Sequence, residues 1–178
     1  IHSDLDKSNA YAFNSLMYRH WDSWSDGSYD HIMLYNLGNK KVSPIDIMKG
    51  MPFHCPTRPF GGSSDYLWHP DGKQIIYVTK KANGTDYAVS TNTDIFAYHI
   101  ETGKTTNLTE GNLGYDNHPL FSDKADMAYL SMKRDGYESD KNDIKVLLSG
   151  SSSAMNITEH WDGTVNEFIW STDGKQIY

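Results

Sequence analysis

Several features that mark common protein classes are scarce in this sequence. Cys55 is the single cysteine, so no disulfide can form within the chain. No apolar run approaches the roughly 20 residues that span a bilayer, and no secretory leader pattern is visible. The 16 Lys and Arg are scattered and are outnumbered by 23 Asp and Glu, for a net charge of -7. These absences argue against a disulfide scaffold, a membrane span and a nucleic-acid partner.

The motifs of catalysis and metal binding are missing as well. The 8 His have no paired metal-ligand spacing. The nearest approach to a Gly-x-Ser-x-Gly nucleophile elbow is GSSSA at residues 150–154, which lacks the closing glycine and a following helix. We therefore expect no catalytic residue, no metal site and no cofactor in this chain. Since it starts at Ile1 and stops at Tyr178 within an expected strand, we also expect it to be cut from a longer protein.

Aromatic residues are abundant. They make up 13% of the chain, with 12 Tyr and 5 Trp. Aromatic and β-branched side chains suit the half-buried surface of a pleated sheet, and no stretch has convincing helical periodicity. The predicted fold class is all-β.

A repeat indicates the architecture. Residues 68–77 read WHPDGKQIIY, residues 170–178 read WSTDGKQIY, and residues 121–129 form a weaker copy. The spacing of about 50 residues is typical of four-stranded β-propeller blades. In each copy a first strand ends at the aromatic residue, and an Asp-Gly or Asp-Lys turn leads into the second strand. A β-sandwich with coincidental Asp-Gly turns is the alternative.

The prediction is therefore a single partial β-propeller domain of about three and a half blades of four antiparallel strands, spanning residues 1–178. The boundaries are a blade end at 1–51, which includes a turn at 38–40, blades at 60–111 and 115–159, and a blade start at 165–178. Trp68, Phe121 and Trp170 recur at the repeat period, so we expect them to pack between blades. The Asn-x-Thr triplets at 107–109 and 156–158 recur too, and are interpreted as strand ends rather than glycosylation sites.

Loops on one face of the blades are the expected place for function. Successive turns of an up-and-down sheet alternate sides, so the long second-to-third-strand loops share a face with the connections between blades. The loops are residues 18–24, 80–93 and 134–140, and the connections are 52–64 and 111–118. Function often lies on loops that a rigid scaffold positions.

Two of these loops carry a family resemblance. YRHWDSW at 18–24 and RDGYESD at 134–140, together with the repeats, resemble the blades that precede the catalytic domain in prolyl oligopeptidase family serine peptidases, in the dipeptidyl-peptidase and acylaminoacyl-peptidase branch. The resemblance covers essentially the whole chain. It implies a C-terminal α/β-hydrolase domain with a Ser-Asp-His triad outside this chain, and a periplasmic or secreted bacterial enzyme. The repeats alone occur equally in TolB-like periplasmic binding propellers.

The resemblance also implies candidate substrate-binding residues. Propeller carboxylates of aminopeptidases in the family hold the α-ammonium of a peptide substrate, a role that falls here on Glu138 and Asp140, with Tyr137 beside them. The alternative is that these carboxylates pair with Arg134 or Lys141 on the loop surface.

Arg19 and Asp22 form a second candidate group. An arginine among aromatic residues can grip a peptide carbonyl and an apolar side chain. The alternative is an internal salt bridge between Arg19 and Asp22, with Trp21 and Trp24 packed between blades.

The predicted function is a propeller segment that gates and recognises peptide substrates for a serine peptidase. A TolB-like propeller that binds a protein partner without catalysis is the leading alternative, and a propeller that binds envelope sugars or lipids through an aromatic cleft is a third.

Overall fold

A computed structural model describes residues 10–39 and 41–178. The first nine residues of the predicted blade end at 1–51, and Lys40 of the predicted turn at 38–40, lie outside the described residues. β-strands dominate the structure, as the composition predicts. None of the helices in the described ranges is long and apolar enough to cross a bilayer.

Two four-stranded antiparallel sheets form the centre of the structure. The first sheet contains β5 (Tyr66–Trp68), β6 (Gln74–Thr79), β7 (Asp94–His99) and β8 (Thr105–Asn107). The second contains β9 (Asp116–Phe121), β10 (Met127–Ser131), β11 (Asp143–Leu147) and β12 (Met155–Asn156). In each sheet the strands pair in chain order. The four-stranded antiparallel units are therefore confirmed.

Two shorter pairs of strands precede these sheets in the chain. A hairpin joins β1 (Arg19–His20) to β2 (Ser23–Trp24), and β3 (Met33–Leu34) pairs with β4 (Ile45–Asp46). Near the other end a single antiparallel bridge joins Trp170 to Ile177. The described residues do not close a ring, so the number of blades and the blade boundaries stay predictions.

The turns after the repeated aromatic residues are closed in a similar way, although the turn after Phe121 is one residue shorter than the other two. In all three copies, the residue after the aromatic one donates its backbone amide to a carbonyl across the turn. The His69 amide, for example, donates to the Gln74 carbonyl at 3.0 Å. Gly72 and Gly174 adopt φ of 69° and 63° there, and Ala125 takes the same left-handed conformation with φ of 63°. Glycine adopts such angles without strain. The Asp-Gly turns thus form as the sequence predicts.

The sheets stack face to face in chain order. Alternate residues of β6 point to opposite faces: Tyr77 belongs to a core cluster with Met48, whereas Val78 belongs to a second cluster with Tyr129. The opposite face of the second sheet packs against Phe168. Each four-stranded sheet is thus buried on both faces, which is how blades of a propeller pack.

The repeated aromatics are not equally buried. Phe121 packs against the cluster between the two sheets, and the Trp170 indole donates to the Leu120 carbonyl at 3.2 Å. Trp68 differs, because 55% of its surface is exposed. The sheet that precedes it has only β3 and β4 among the described residues, so no first strand of that sheet covers the indole. The prediction that Trp68 packs between blades is therefore wrong for this structure.

The repeated Asn-x-Thr triplets fasten the third strand to the fourth. In the second sheet, Thr158 Oγ1 and Asn156 Nδ2 donate to the Asp143 carboxylate at 2.8 and 2.9 Å, and the Ile144 amide donates to Thr158 Oγ1 at 2.9 Å. The first sheet repeats this arrangement with Asp94, Asn107 and Thr109. Both triplets are structural, which agrees with their interpretation as strand ends.

The partial sheet of β3 and β4 has a variant of this fastening. His31 occupies the position of Asp143, and its Nδ1 lies 2.9 Å from Asp46 Oδ2, where the other sheets have asparagine. Asp46 Oδ1 also accepts the Met48 amide at 2.9 Å, as the asparagine oxygens accept the threonine amides. The equivalence supports assigning β3 and β4 as the third and fourth strands of a repeat.

Cys55 lies in the core between β3–β4 and the first sheet, with 1% of its surface exposed. Burial raises the pKa of its thiol to about 12, and the Asp65 carboxylate adds to the rise. Because the thiolate is the nucleophile, we expect the native protein to resist a thiol reagent near neutral pH and to react once denatured. The absorbance of the leaving group of a chromogenic reagent measures the reaction rates of the native and the denatured protein. Rapid modification of the native protein would contradict this placement of Cys55.

Candidate functional site

Two long loops of successive sheets form one surface. One lies between β6 and β7 and contains the short helix α1 (Gly84–Val89), which the sequence did not reveal; the other, residues 134–140, lies between β10 and β11. Asp135 Oδ1 accepts hydrogen bonds from Ser90 Oγ at 2.7 Å and the Thr91 amide at 2.8 Å. The Gly136 amide donates to Thr91 Oγ1 at 3.0 Å. These contacts place the two loops together, as the alternation of turns predicts.

Lys80 binds the carbonyl end of α1. Its ammonium donates to the carbonyls of Tyr87, at 2.7 Å, and Ser90, and lies 4.5 Å from the centre of the Tyr87 ring. Burial lowers the pKa of Lys80, an effect that the nearby charges of Asp135 and Glu138 oppose. Because the backbone carbonyls engage this ammonium, its role is to order the loop.

Glu138 is less engaged than Asp135, Lys80 and Asp140. Its side chain is exposed, and within the described part of the chain it makes no hydrogen bond or ion pair. Burial raises the pKa of the Tyr115 phenol, and the Glu138 charge raises it further. Glu138 is therefore a carboxylate without a direct ion pair among the described residues, close enough to Tyr115 and Lys80 for its charge to act on both.

Asp140 is already engaged within the loop. Its Oδ1 accepts from Arg134 Nε at 3.1 Å and Nη2 at 2.8 Å, and its Oδ2 accepts the amides of Lys133 and Arg134. The Arg134 hydrogen bonds hold the pKa of this carboxyl at about 2. The side chain is only 9% exposed. The alternative of an ion pair between Asp140 and Arg134 is the one found in the structure. Both carboxylate oxygens of Asp140 already accept hydrogen bonds within the loop.

Tyr137 borders the same loop. Its ring lies 4.1 Å from Arg134 Cζ, a cation–π contact, and 52% of its surface is exposed. The Arg134 guanidinium is therefore held by Asp140 on one side and by Tyr137 on the other. The ring of Tyr137 stays accessible next to Glu138.

The second predicted group lies on the β1–β2 hairpin. Arg19 donates to the Trp21 carbonyl at 3.0 Å and lies 5.7 Å from the Trp24 ring. Asp22 is exposed, and no ion pair joins it to Arg19 in the structure. Trp21 and Trp24 are 69% and 60% exposed. The alternative of a salt bridge with two buried tryptophans is thus not what the structure shows.

The hairpin is joined to a different part of the predicted functional face. Trp21 meets Phe60 of the 52–64 connection edge to face, with 5.7 Å between ring centres. Among the described residues, no hydrogen bond, ion pair or ring contact links the hairpin to residues 134–140. The structure brings Tyr137, Glu138 and Asp140 together, and leaves Arg19 and Asp22 as a separate group.

Sequence reasoning missed the residues that support Glu138. Lys80, Tyr87, Tyr115 and Asp135 were not singled out, although all lie on the loops or connections predicted to share one face. The helix α1 has six residues, too few to give a hydrophobic period. The length and polarity of the 80–93 loop were the available signal.

Other possible sites are limited. An open, mostly polar cleft of about 470 Å³ lies between the two loops, where Lys81, Asn83, Asp86 and Asp135 line it with their neighbours. No group of three metal-binding side chains occurs in the described ranges. The GSSSA run lies in the exposed turn between β11 and β12, where Ser151 Oγ donates to the Ser153 carbonyl. It is a polar hairpin, as its sequence suggests.

The linkage between the two loops can be tested at Asp135. Replacing Asp135 with alanine removes the acceptor of two hydrogen bonds, whereas asparagine keeps an oxygen in the same place. Net hydrogen bonds contribute about 1 kcal/mol, so we expect Asp135→Ala to speed hydrogen exchange of the Thr91 amide about fivefold and Asp135→Asn to change it little. Asp162→Ala, at an exposed aspartate without a bonded partner, is the control. Equal exchange in all variants would mean that Asp135 does not join the loops.

Comparison with known proteins identifies relatives. The chain is 38% identical over 180 aligned positions to a protein named Dipeptidyl-peptidase 5 from Porphyromonas gingivalis, covering 100% of the chain and 26% of that protein. It is 45% identical over 139 positions to the protein of that name from Porphyromonas endodontalis, covering 77% of the chain and 20% of the relative. The protein of that name from Schizosaccharomyces pombe is 28% identical over 92% of the chain.

No family model matches the chain. The chain spans about a quarter of the length of these curated relatives, 26% for the protein from P. gingivalis. The alignment nevertheless covers the repeats and both loop motifs. The chain is therefore a homologue of one segment of the proteins named Dipeptidyl-peptidase 5, which is consistent with the peptidase family that its repeats and loop motifs indicate.

Proposed function

We propose that this chain is part of a β-propeller that admits and recognises peptide substrates for a dipeptidyl peptidase. The stack of four-stranded sheets supports the propeller, and the names of the relatives support the activity. In this proposal a C-terminal α/β-hydrolase domain of the parent chain performs acyl transfer. We also propose that the parent protein is periplasmic or secreted, as the family resemblance implies.

The observation that carries the proposal is the unpaired carboxylate of Glu138. A peptide with a free amino terminus presents an ammonium group, and a carboxylate binds it through charge-assisted hydrogen bonds. Arg134 is neutralised by Asp140, and the Lys80 ammonium is engaged by two carbonyls. Glu138 is thus an acidic group of this surface that is free to pair with an incoming ammonium.

The surroundings of Glu138 favour such binding. The loop that bears it is fastened internally by Asp140 and to the neighbouring loop by Asp135. A pre-ordered loop loses little conformational freedom when a ligand binds, so less of the interaction energy is lost. Tyr115 and Tyr137 supply aromatic surface beside the carboxylate, which also favours a cationic group.

The proposal is tested by the substrate range of the full-length parent protein. We expect hydrolysis of fluorogenic dipeptidyl substrates that have a free amino terminus, and much slower hydrolysis when the same dipeptides are N-acylated. Preference for the acylated series would remove the ammonium site while keeping a peptidase. No hydrolysis of either series by the folded protein would leave a TolB-like binding propeller as the function.

A further inference from the structure

We propose that Asn83 is a site of spontaneous deamidation, through a succinimide formed with Gly84, which converts the cleft between the two loops to a more acidic surface. Asn83 is the residue before α1 and lines that cleft. Asn83-Gly84 is the one Asn-Gly step in the sequence. The reaction uses only groups of this chain and water, and is independent of the proposed peptidase activity.

The chemistry requires an accessible side-chain amide followed by an unshielded backbone nitrogen. The Gly84 nitrogen attacks Asn83 Cγ; a Cγ–N bond forms to the backbone, the bond to Nδ2 breaks, and ammonia leaves with the amide proton. One water then opens the succinimide at either carbonyl, which gives aspartate or isoaspartate. No oxidant, reductant or enzyme is needed, since water is the only co-reactant.

The structure leaves this amide free to react. Asn83 is exposed, its side chain does not cap α1, and it makes no hydrogen bond to any described residue. Apart from its chain neighbours and the backbone of α1, no atom lies within 4 Å of where a Cβ of Gly84 would lie. Glycine has no side chain to hinder the attack, and it is conformationally permissive, so the backbone can rotate into the ring geometry.

Several other asparagines have side chains that are held. Asn107 and Asn156 fasten strands, Asn112 Nδ2 donates to the Met132 carbonyl at 2.9 Å, and Asn36 Oδ1 accepts two backbone amides. Asn14 and Asn166 are exposed without such bonds, but Ser15 and Glu167 follow them. These two residues are internal controls, because they differ from Asn83 in the residue that follows.

Conversion adds a charge where several carboxylates already lie. Asp86, Asp94 and Asp135 line the cleft with Asn83, and Lys81 is its one lysine. A new carboxylate lies beside the first turn of α1, and isoaspartate also lengthens the backbone by one carbon. The loop that Asp135 fastens to residues 134–140 is therefore the part of the molecule that changes with age.

Peptide mapping by mass spectrometry tests the inference on the parent protein during incubation in mildly alkaline buffer. We expect Asn83 to convert at least about tenfold faster than Asn14 or Asn166, because only Gly84 lacks a Cβ among the following residues. Isoaspartyl methyltransferase should label the same peptide, and Asn83→Gln should abolish both signals. Conversion of Asn83 no faster than of the two internal controls, or an unmodified Asn83 after they have converted, would overturn the inference.

Discussion

Replacing Glu138 with glutamine in the parent protein should raise KM for dipeptidyl substrates with a free amino terminus, and should change kcat little. Glutamine has nearly the same shape but no charge, so the variant loses the charge-assisted part of ammonium binding. Hydrogen bonds to charged groups contribute about 1.5–3 kcal/mol, which corresponds to a loss of about 10- to 100-fold in kcat/KM. Steady-state kinetics on the free and N-acylated substrate pairs measures the effect.

The matched control for this variant is Glu101→Gln. Glu101 is also exposed, and lies in the turn between β7 and β8, on the opposite side of the sheet from the 80–93 loop. We expect the control to have the kinetics of the unmodified protein. A Glu138→Gln variant that retains full kcat/KM on free dipeptides would show that another group holds the ammonium, even if the peptidase assignment stands.

The difference between Glu138 and Asp140 illustrates what a sequence can say about such a loop. Both carboxylates lie within three residues, and both Arg134 and Lys141 were plausible partners. The structure gives Arg134 to Asp140, whereas Lys141 pairs with Asp143 at 2.8 Å. Exposed ion pairs differ by small free energies, so the partners depend on loop geometry that no local pattern encodes.

The strands were easier to predict than the loops. The core strands β6 and β10 begin after the repeated turns, because Asp-Gly and left-handed residues specify the turn locally. β9 begins at Asp116, within the stretch 111–118 that was predicted to be a connection, since DNHP has no alternation of apolar residues. Pro119 is tolerated there because β9 pairs on one side only and is an edge strand. The exposure of Trp68 depends on which neighbouring strands are present, which a repeat cannot reveal.

A second large effect is expected at Asp116, whose side chain is completely buried at the start of β9. Asn112 Nδ2 donates to its Oδ1 at 3.1 Å, but Oδ2 has no hydrogen-bond partner in the structure. Burial raises the pKa of this carboxyl from 3.8 to about 6, although hydrogen bonds from Ser131 and the charge of Lys145 oppose the rise. The folded protein therefore favours the protonated form of Asp116 more than the unfolded chain does.

The raised pKa of Asp116 makes the stability of the folded protein depend on pH. Since the folded pKa lies above the unfolded value, the contribution of Asp116 to stability is fully present below about pH 4 and is lost as the pH rises through about 6. Two pKa units correspond to about 3 kcal/mol. At neutral pH the ionised group thus lowers the free energy of unfolding of this region by an amount of that order.

Replacing Asp116 with asparagine removes the charge and keeps the shape. We expect the variant to raise the opening free energy of the β9–β10 amides at neutral pH by up to about 3 kcal/mol, and to differ little from the unmodified protein near pH 4. Hydrogen exchange compared between the two proteins at each pH measures this, because the intrinsic exchange rate cancels. Asp123→Asn, in the exposed turn between β9 and β10, is the control and should shift neither value.

The opposite result has a definite meaning. If Asp116→Asn lowers the opening free energy at neutral pH, then the ionised carboxylate stabilises the native state, and Lys145 together with the Ser131 hydroxyl outweighs the cost of burial. The amide has two donors that need acceptors, and the hydroxyls nearby are those of Ser131 and Thr93. Asp116→Ala distinguishes the cases, because it leaves a cavity without hydrogen-bond donors and without a charge. If the charge of Asp116 is immaterial, this variant lowers the opening free energy by the same amount at both pH values.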